Sequence, residues 1–161
     1  MSNSTIKSAT AIKKGQRHIN TARTIPEIFD VVRAAETQEE KVQLLKAYDS
    51  KGLRFVVNGL YNVDWSDMKV PKVKFNHLPP EICNTNIGRS VSRLEAAYQF
   101  RVDKPEVTRR NLTRILEEVS KEEAELLVDM FKGKKVDGIS KAIFKRAFPD
   151  FFRSGEEDSP S

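Results

Sequence analysis

Apolar residues along this chain recur mostly at helical spacing, and residues that cap helices stand just ahead of each run. Leu53, Val56, Val57 and Leu60 fall at i, i+3, i+4 and i+7, which puts all four on one stripe of a helix that Ser50 opens. Thr24-Ile25-Pro26-Glu27 is a capping box with proline in the first turn, and Ile28, Phe29 and Val32 continue the period from Ile25. Thr37-Gln38-Glu39-Glu40 is a second capping box, opening a helix that carries Leu44, Leu45 and Tyr48. Asn86 is placed to cap a helix with Ile87, Val91, Leu94 and Tyr98 on one side, and Pro105 starts another with Leu112, Ile115, Leu116 and Val119 inward. Ser120-Lys121-Glu122-Glu123 is a third capping box, ahead of Ala124, Leu127, Val128 and Phe131, and Gly133 stands where a helix C-terminal glycine belongs. Ser140 caps a last helix with Ile143, Phe144, Ala147 and Phe148, which Pro149 stops. Seven short helices without a strong strand signal predict an all-α domain over residues 24–152, a compact bundle.

Residues 61–86 break the pattern. Pro71, Pro79 and Pro80 lie in this stretch and no helical period runs through it. A loop of that length is unusual inside a domain and points to function or to an unrecognised element. Val70 to Phe75 alternates weakly, as a short extended segment would, and Trp65 and Phe75 are expected to pin the loop to the body.

Composition adds limits. The 161 residues suffice for one domain with a core, and 39% hydrophobic against 32% charged residues suggests a charge-coated globule. A single cysteine, Cys83, rules out an internal disulfide framework and fits a reducing cytoplasm. No apolar run approaches the roughly 20 residues of a membrane span. The net charge of +5 is uneven. Lys7, Lys13, Lys14, Arg17 and Arg23 meet no acid in residues 1–23, so this Ser- and Thr-rich stretch reads as a disordered basic arm. Such a start also resembles an organelle transit peptide, but it has no clear amphipathic stretch. Residues 24–152 are nearly neutral, and residues 153–161 read as a short, disordered acidic tail.

Candidate chemistry centres on Gly133-Lys134-Lys135-Val136-Asp137-Gly138-Ile139-Ser140. It contains K-x-D-G, the core of the signature around the lysine that DNA ligases and capping enzymes charge with a nucleotide. That chemistry needs a buried pocket, metal-binding carboxylates and phosphate-gripping lysines from a domain of roughly 200 residues. Here the motif lies between two short helices, and Ser140 stands where the signature's arginine would. Glu117, Glu118, Glu122, Glu123, Glu125 and Asp129 have the period of a solvated helix face, with no histidine or cysteine nearby to suggest a metal. His18 and His77 have no partner pattern, and no nucleophile–base pair emerges. No catalytic residue, metal, cofactor or small-molecule substrate is expected.

The basic clusters carry more. Lys132, Lys134, Lys135, Lys141, Lys145 and Arg146 surround the Gly138 turn, and a helix start at Ser140 offers unpaired N–H groups to a phosphate. Arg89 and Arg93 share a helix face, as do Arg110 and Arg114 with Arg109 alongside. Residues 69–114 hold ten basic residues against four acidic ones. Lys13, Lys14 and Arg17 would add charge from the arm. The competing reading is that these are ordinary solvated faces, since residues 27–49 and 117–129 are acidic.

The order of these signals resembles the N-terminal, all-helical DNA-binding domain of the ATP-dependent DNA ligase of T-even phages, and more closely a family of small uncharacterised proteins from related tailed phages. The resemblance runs through most of residues 24–152. It rests on "TQEEKVQLLKAYDSKGLRFVVNGLY" with the long loop that follows, on "EEVSKEEAELLVDMFKGK", and above all on "GISKAIFKRAFPDFF", which looks like the closing helix and "FPGL" end of the ligase domain, with Asp150 at the glycine. It covers the accessory domain alone; the nucleotidyltransferase and OB-fold domains have no counterpart. It implies a surface that grips duplex DNA by its backbone, with Lys135, Gly138, Ser140, Lys141 and Lys145 as the matching turn and helix.

The resulting expectation is a non-enzymatic phage accessory protein that binds nucleic acid, duplex DNA before other forms, through phosphates and without base specificity. Its place would be the bacterial host cytoplasm, or the virion. The alternative on the same scaffold is a protein-interaction module for a host or phage protein, which the near-neutral body and long loop favour. No membrane partner is expected.

Overall fold

The computed structural model describes residues 24–152, and among them the chain is all-α. Seven α-helices follow in order: α1 (Ile25–Ala34), α2 (Gln38–Ala47), α3 (Lys51–Tyr61), α4 (Ile87–Gln99), α5 (Pro105–Glu118), α6 (Lys121–Phe131) and α7 (Lys141–Ala147). A 3-10 turn, Pro149–Phe151, closes the series. The basic arm with Lys13, Lys14 and Arg17, and the acidic tail, lie outside the described residues. No helix among those described is long and apolar enough to cross a membrane.

Local chemistry explains the helix starts. Thr37, Ser50, Asn86, Ser120 and Ser140 each accept the N–H three residues on, which satisfies one of the donors that every helix start leaves open. At Thr37 and Ser120 the box is complete, with Glu40 and Glu123 returning a bond to the cap backbone. The end of α6 is a Schellman motif: Lys134 N–H reaches Asp129 O (2.9 Å), Gly133 N–H reaches Met130 O (3.0 Å), and Gly133 takes φ +81°.

The described residues fall into two units. One comprises residues 27–49 and 136–152, and the other residues 24–26 and 50–135. In the first, α2 packs on α7. Its core holds Phe29, Val32, Val42, Leu45, Ile143, Phe144 and Phe152, and the Phe29 and Phe144 rings meet edge to face at 5.9 Å. On α2 the inward residue is Val42, while Leu44, expected inside, is half-buried.

In the second unit α4 and α5 pair, α3 packs on α4 and α6, and α5 meets α6. Leu53, Val56, Val57 and Leu60 of α3 are buried, as are Leu112, Ile115 and Leu116 of α5 with Val119 just past its end. The buried Thr108 hydroxyl donates to Ala97 O (2.8 Å) and fastens α5 to α4. On α6, Met130 is buried where Val128 was expected to be, and Val128 is half-buried. Residues 62–86 form no helix, but Trp65 pins their start: its indole N–H donates to Gly59 O (2.8 Å), and its ring contacts Phe55, Tyr98 and Phe131. Phe75 is only half-buried.

Candidate nucleic-acid interface

The division between the units falls between Lys135 and Val136, inside the stretch that the sequence singles out. Lys132, Lys134 and Lys135 belong to one unit, and Gly138, Ser140, Lys141, Lys145 and Arg146 to the other. Each set has its own geometry.

Lys132 ends α6 and is exposed. Lys134 lies 3.9 Å from Asp129, with both side chains well exposed, a pair worth little in water. Lys135 donates to Leu60 O in the last turn of α3 and lies 5.0 Å from the centre of the Tyr61 ring. A cation there answers both an open carbonyl and the negative end of the helix dipole.

In the other unit, Gly138 takes φ +81°. Arg33 donates to Asp137 O (3.2 Å) and Lys41 to Gly138 O (3.2 Å), so two cations from α1 and α2 hold the turn. Ser140 caps α7, its hydroxyl accepting Ile143 N–H at 3.4 Å. Lys141 lies 6.0 Å from the centre of the Phe152 ring. Arg146 is ion-paired to Glu39, and that bond, followed by one from Gln43, holds the Glu39 carboxyl below its usual range. Lys145 is exposed and makes no ion pair among the described residues.

The arginines of α4 and α5 lie in the second unit. Arg89 is exposed, while Arg93 reaches Glu118 and the Ser90 hydroxyl, each at 3.5 Å. Arg109, Arg110 and Arg114 are exposed on one open face of α5, which they share with Glu106, Thr113, Glu117 and Glu118. None of the three guanidinium groups has an ion pair among the described residues. Their paired donors can be offered to a phosphate, in competition with the three carboxylates of the same face.

The acidic residues of α6 do not all face water. Glu123 is 1% exposed, and its carboxylate accepts from Ser120 N–H (3.3 Å), the Ser120 hydroxyl (2.8 Å) and Ile87 N–H (3.0 Å). The available signal was its place as the closing residue of the capping box, which aims it inward. Nothing in the sequence pointed to Arg33, Lys41 or Glu39 as partners of the Gly138 turn and α7.

Among the described residues no group of three or more His, Cys, Asp or Glu side chains could hold a metal ion. Cys83 receives a bond from the Asn76 amide (3.4 Å), and burial first, then Glu123, Glu122 and Glu81, push its thiol up, away from a reactive thiolate. No protein-family model, no curated protein and no solved structure matches the chain.

Proposed function

We propose that this is a non-enzymatic phage accessory protein that binds nucleic acid, chiefly duplex DNA, through backbone phosphates and without reading bases. The observation that carries this reading is the α5 face, where Arg109, Arg110 and Arg114 stand exposed and unpaired on a helix fixed by a buried core. The sequence resemblance to a ligase accessory domain points the same way. Around the Gly138 turn, by contrast, Lys135 and Arg146 already have protein partners, which shifts the weight of the reading from the turn to α5.

Phosphate contacts release counterions, so affinity should fall steeply with salt, by about 0.9 in log–log slope per contact. Titration of the full chain against labelled duplex, nicked and single-stranded DNA at several salt concentrations tests the proposal. Binding with a steep slope that flattens when Arg109, Arg110 and Arg114 become Ala is expected. A flat salt response, or no retention at low salt, rejects it.

The second reading, a protein-interaction module, draws on Leu78 and Ile82, which stand 51% and 59% exposed in the long loop. A single partner recovered after nuclease treatment, and lost with Leu78→Ser and Ile82→Ser, would favour it. A host-cytoplasmic or virion location goes with either reading.

A further inference from the structure

The 62–86 loop is fastened twice within its own unit. Near its start Trp65 is buried and Asp67 lies 3.6 Å from Arg101. Past its middle Asn76 forms an isolated parallel bridge with Ser120, and its amide donates to Glu118 O at 3.3 Å. Between these anchors Lys72 and Lys74 are exposed, while Val73 and Phe75 are half-buried. That alternation belongs to extended backbone, which puts the two lysines on one side, about 7 Å apart along the chain. Neither lysine has a hydrogen bond or ion pair among the described residues.

The Asn76 anchor places this segment beside the end of α5. Glu118 is one helical turn past Arg114, and Lys74 is two residues before Asn76. A turn of about 5.4 Å, a hydrogen-bonded contact and about 7 Å of extended chain put Lys74 within roughly 20 Å of Arg114. One DNA strand carries a phosphate about every 3.4 Å along its axis, so that span covers up to about six of them.

We propose that Lys72 and Lys74 form a second bank of the phosphate-binding surface whose first bank is Arg109, Arg110 and Arg114. A ligand that reaches both banks is a polymer of regularly spaced phosphates, not a mononucleotide or free phosphate. This rests on the nucleic-acid reading above and adds a loop to it that the cluster at the Gly138 turn does not include.

The test is a salt titration of the full chain with a 20-base-pair duplex, repeated with Lys72→Ala/Lys74→Ala and with Arg109→Ala/Arg110→Ala/Arg114→Ala, each checked for an unchanged circular dichroism melt. The lysine pair should flatten the log–log slope by about 1.8 and the arginine set by about 2.7. Inorganic phosphate at equal ionic strength should displace no more duplex than chloride does. An unchanged slope in the lysine variant, with the arginine variant flattened, overturns the second bank and leaves the α5 reading standing. No duplex binding by the wild-type chain removes both. Displacement by millimolar inorganic phosphate overturns the polymer assignment.

Discussion

The carboxylate of Glu123 accepts the backbone N–H of Ile87, 36 residues earlier in the chain, at 3.0 Å. The same carboxylate closes the capping box at Ser120, so one buried anion serves the starts of both α4 and α6. Both helix starts present open donors, which gives an acid with 1% exposure the hydrogen-bond partners that burial demands. Glu123→Ala leaves Ile87 N–H and the Ser120 groups without their acceptor. It should destabilise the protein by about 2–4 kcal/mol in urea denaturation, and Glu123→Gln by less, because the amide oxygen still accepts. A loss under about 0.5 kcal/mol for the alanine variant would contradict this account.

Gly133 and Gly138 share φ +81° but differ in surroundings. A Cβ on Gly133 would meet nothing within 4 Å, whereas one on Gly138 would lie 2.7 Å from Arg33 Cδ and 2.9 Å from Arg33 Cγ. Gly133→Ala should therefore cost only the backbone penalty, about 1 kcal/mol. Gly138→Ala should cost more, about 2–3 kcal/mol, since Arg33 must move and loosen its bond to Asp137 O. Combining Gly138→Ala with Arg33→Ala separates the terms: in a double-mutant cycle the steric part should vanish. Equal losses at the two glycines would show that Arg33 yields freely.

These elements differ in how far the sequence exposes them. Helix starts are legible because a capping side chain and the N–H that donates to it are three residues apart, as at Thr37, Ser50, Asn86, Ser120 and Ser140. The stripes of α3 and α5 are equally plain, since apolar residues at helical spacing have one face to bury. The exchange of Leu44 for Val42 on α2 is a rotation that periodicity over ten residues resolves poorly. Partnerships across the chain are different in kind. Glu39 with Arg146 spans 107 positions, and Lys135 with Leu60 spans 75; both depend on how helices pack, and no local pattern encodes them. That is why the cations of the Gly138 turn all read as candidate phosphate contacts in sequence while several are already engaged.

Tyr48 gives a pH prediction. It is 8% exposed, and burial first, then the charge of Glu27, push its phenol up to about 12. The folded state thus holds the proton more tightly than the unfolded chain, whose tyrosine titrates near 10. The stabilisation is fully present below pH 10 and is lost as the pH rises from there through 12. Between pH 9 and 11 the urea midpoint of the wild-type protein should fall further than that of Tyr48→Phe, which has no phenol to ionise. Parallel declines would show that Tyr48 does not set the alkaline limit.

Lys135 separates a structural bond from a ligand contact. Its ammonium holds Leu60 O at the end of α3, so its removal should act on stability before binding. Lys135→Met keeps the stem and removes the donor, and should cost about 1 kcal/mol in urea denaturation. The salt slope of DNA binding should stay within about 0.3 of wild type, whereas Lys145→Ala, at an exposed and unpaired position, is free to lower it by up to about 0.9. The opposite pattern, unchanged stability with a slope reduced by about 0.9, would return Lys135 to the proposed phosphate-binding surface.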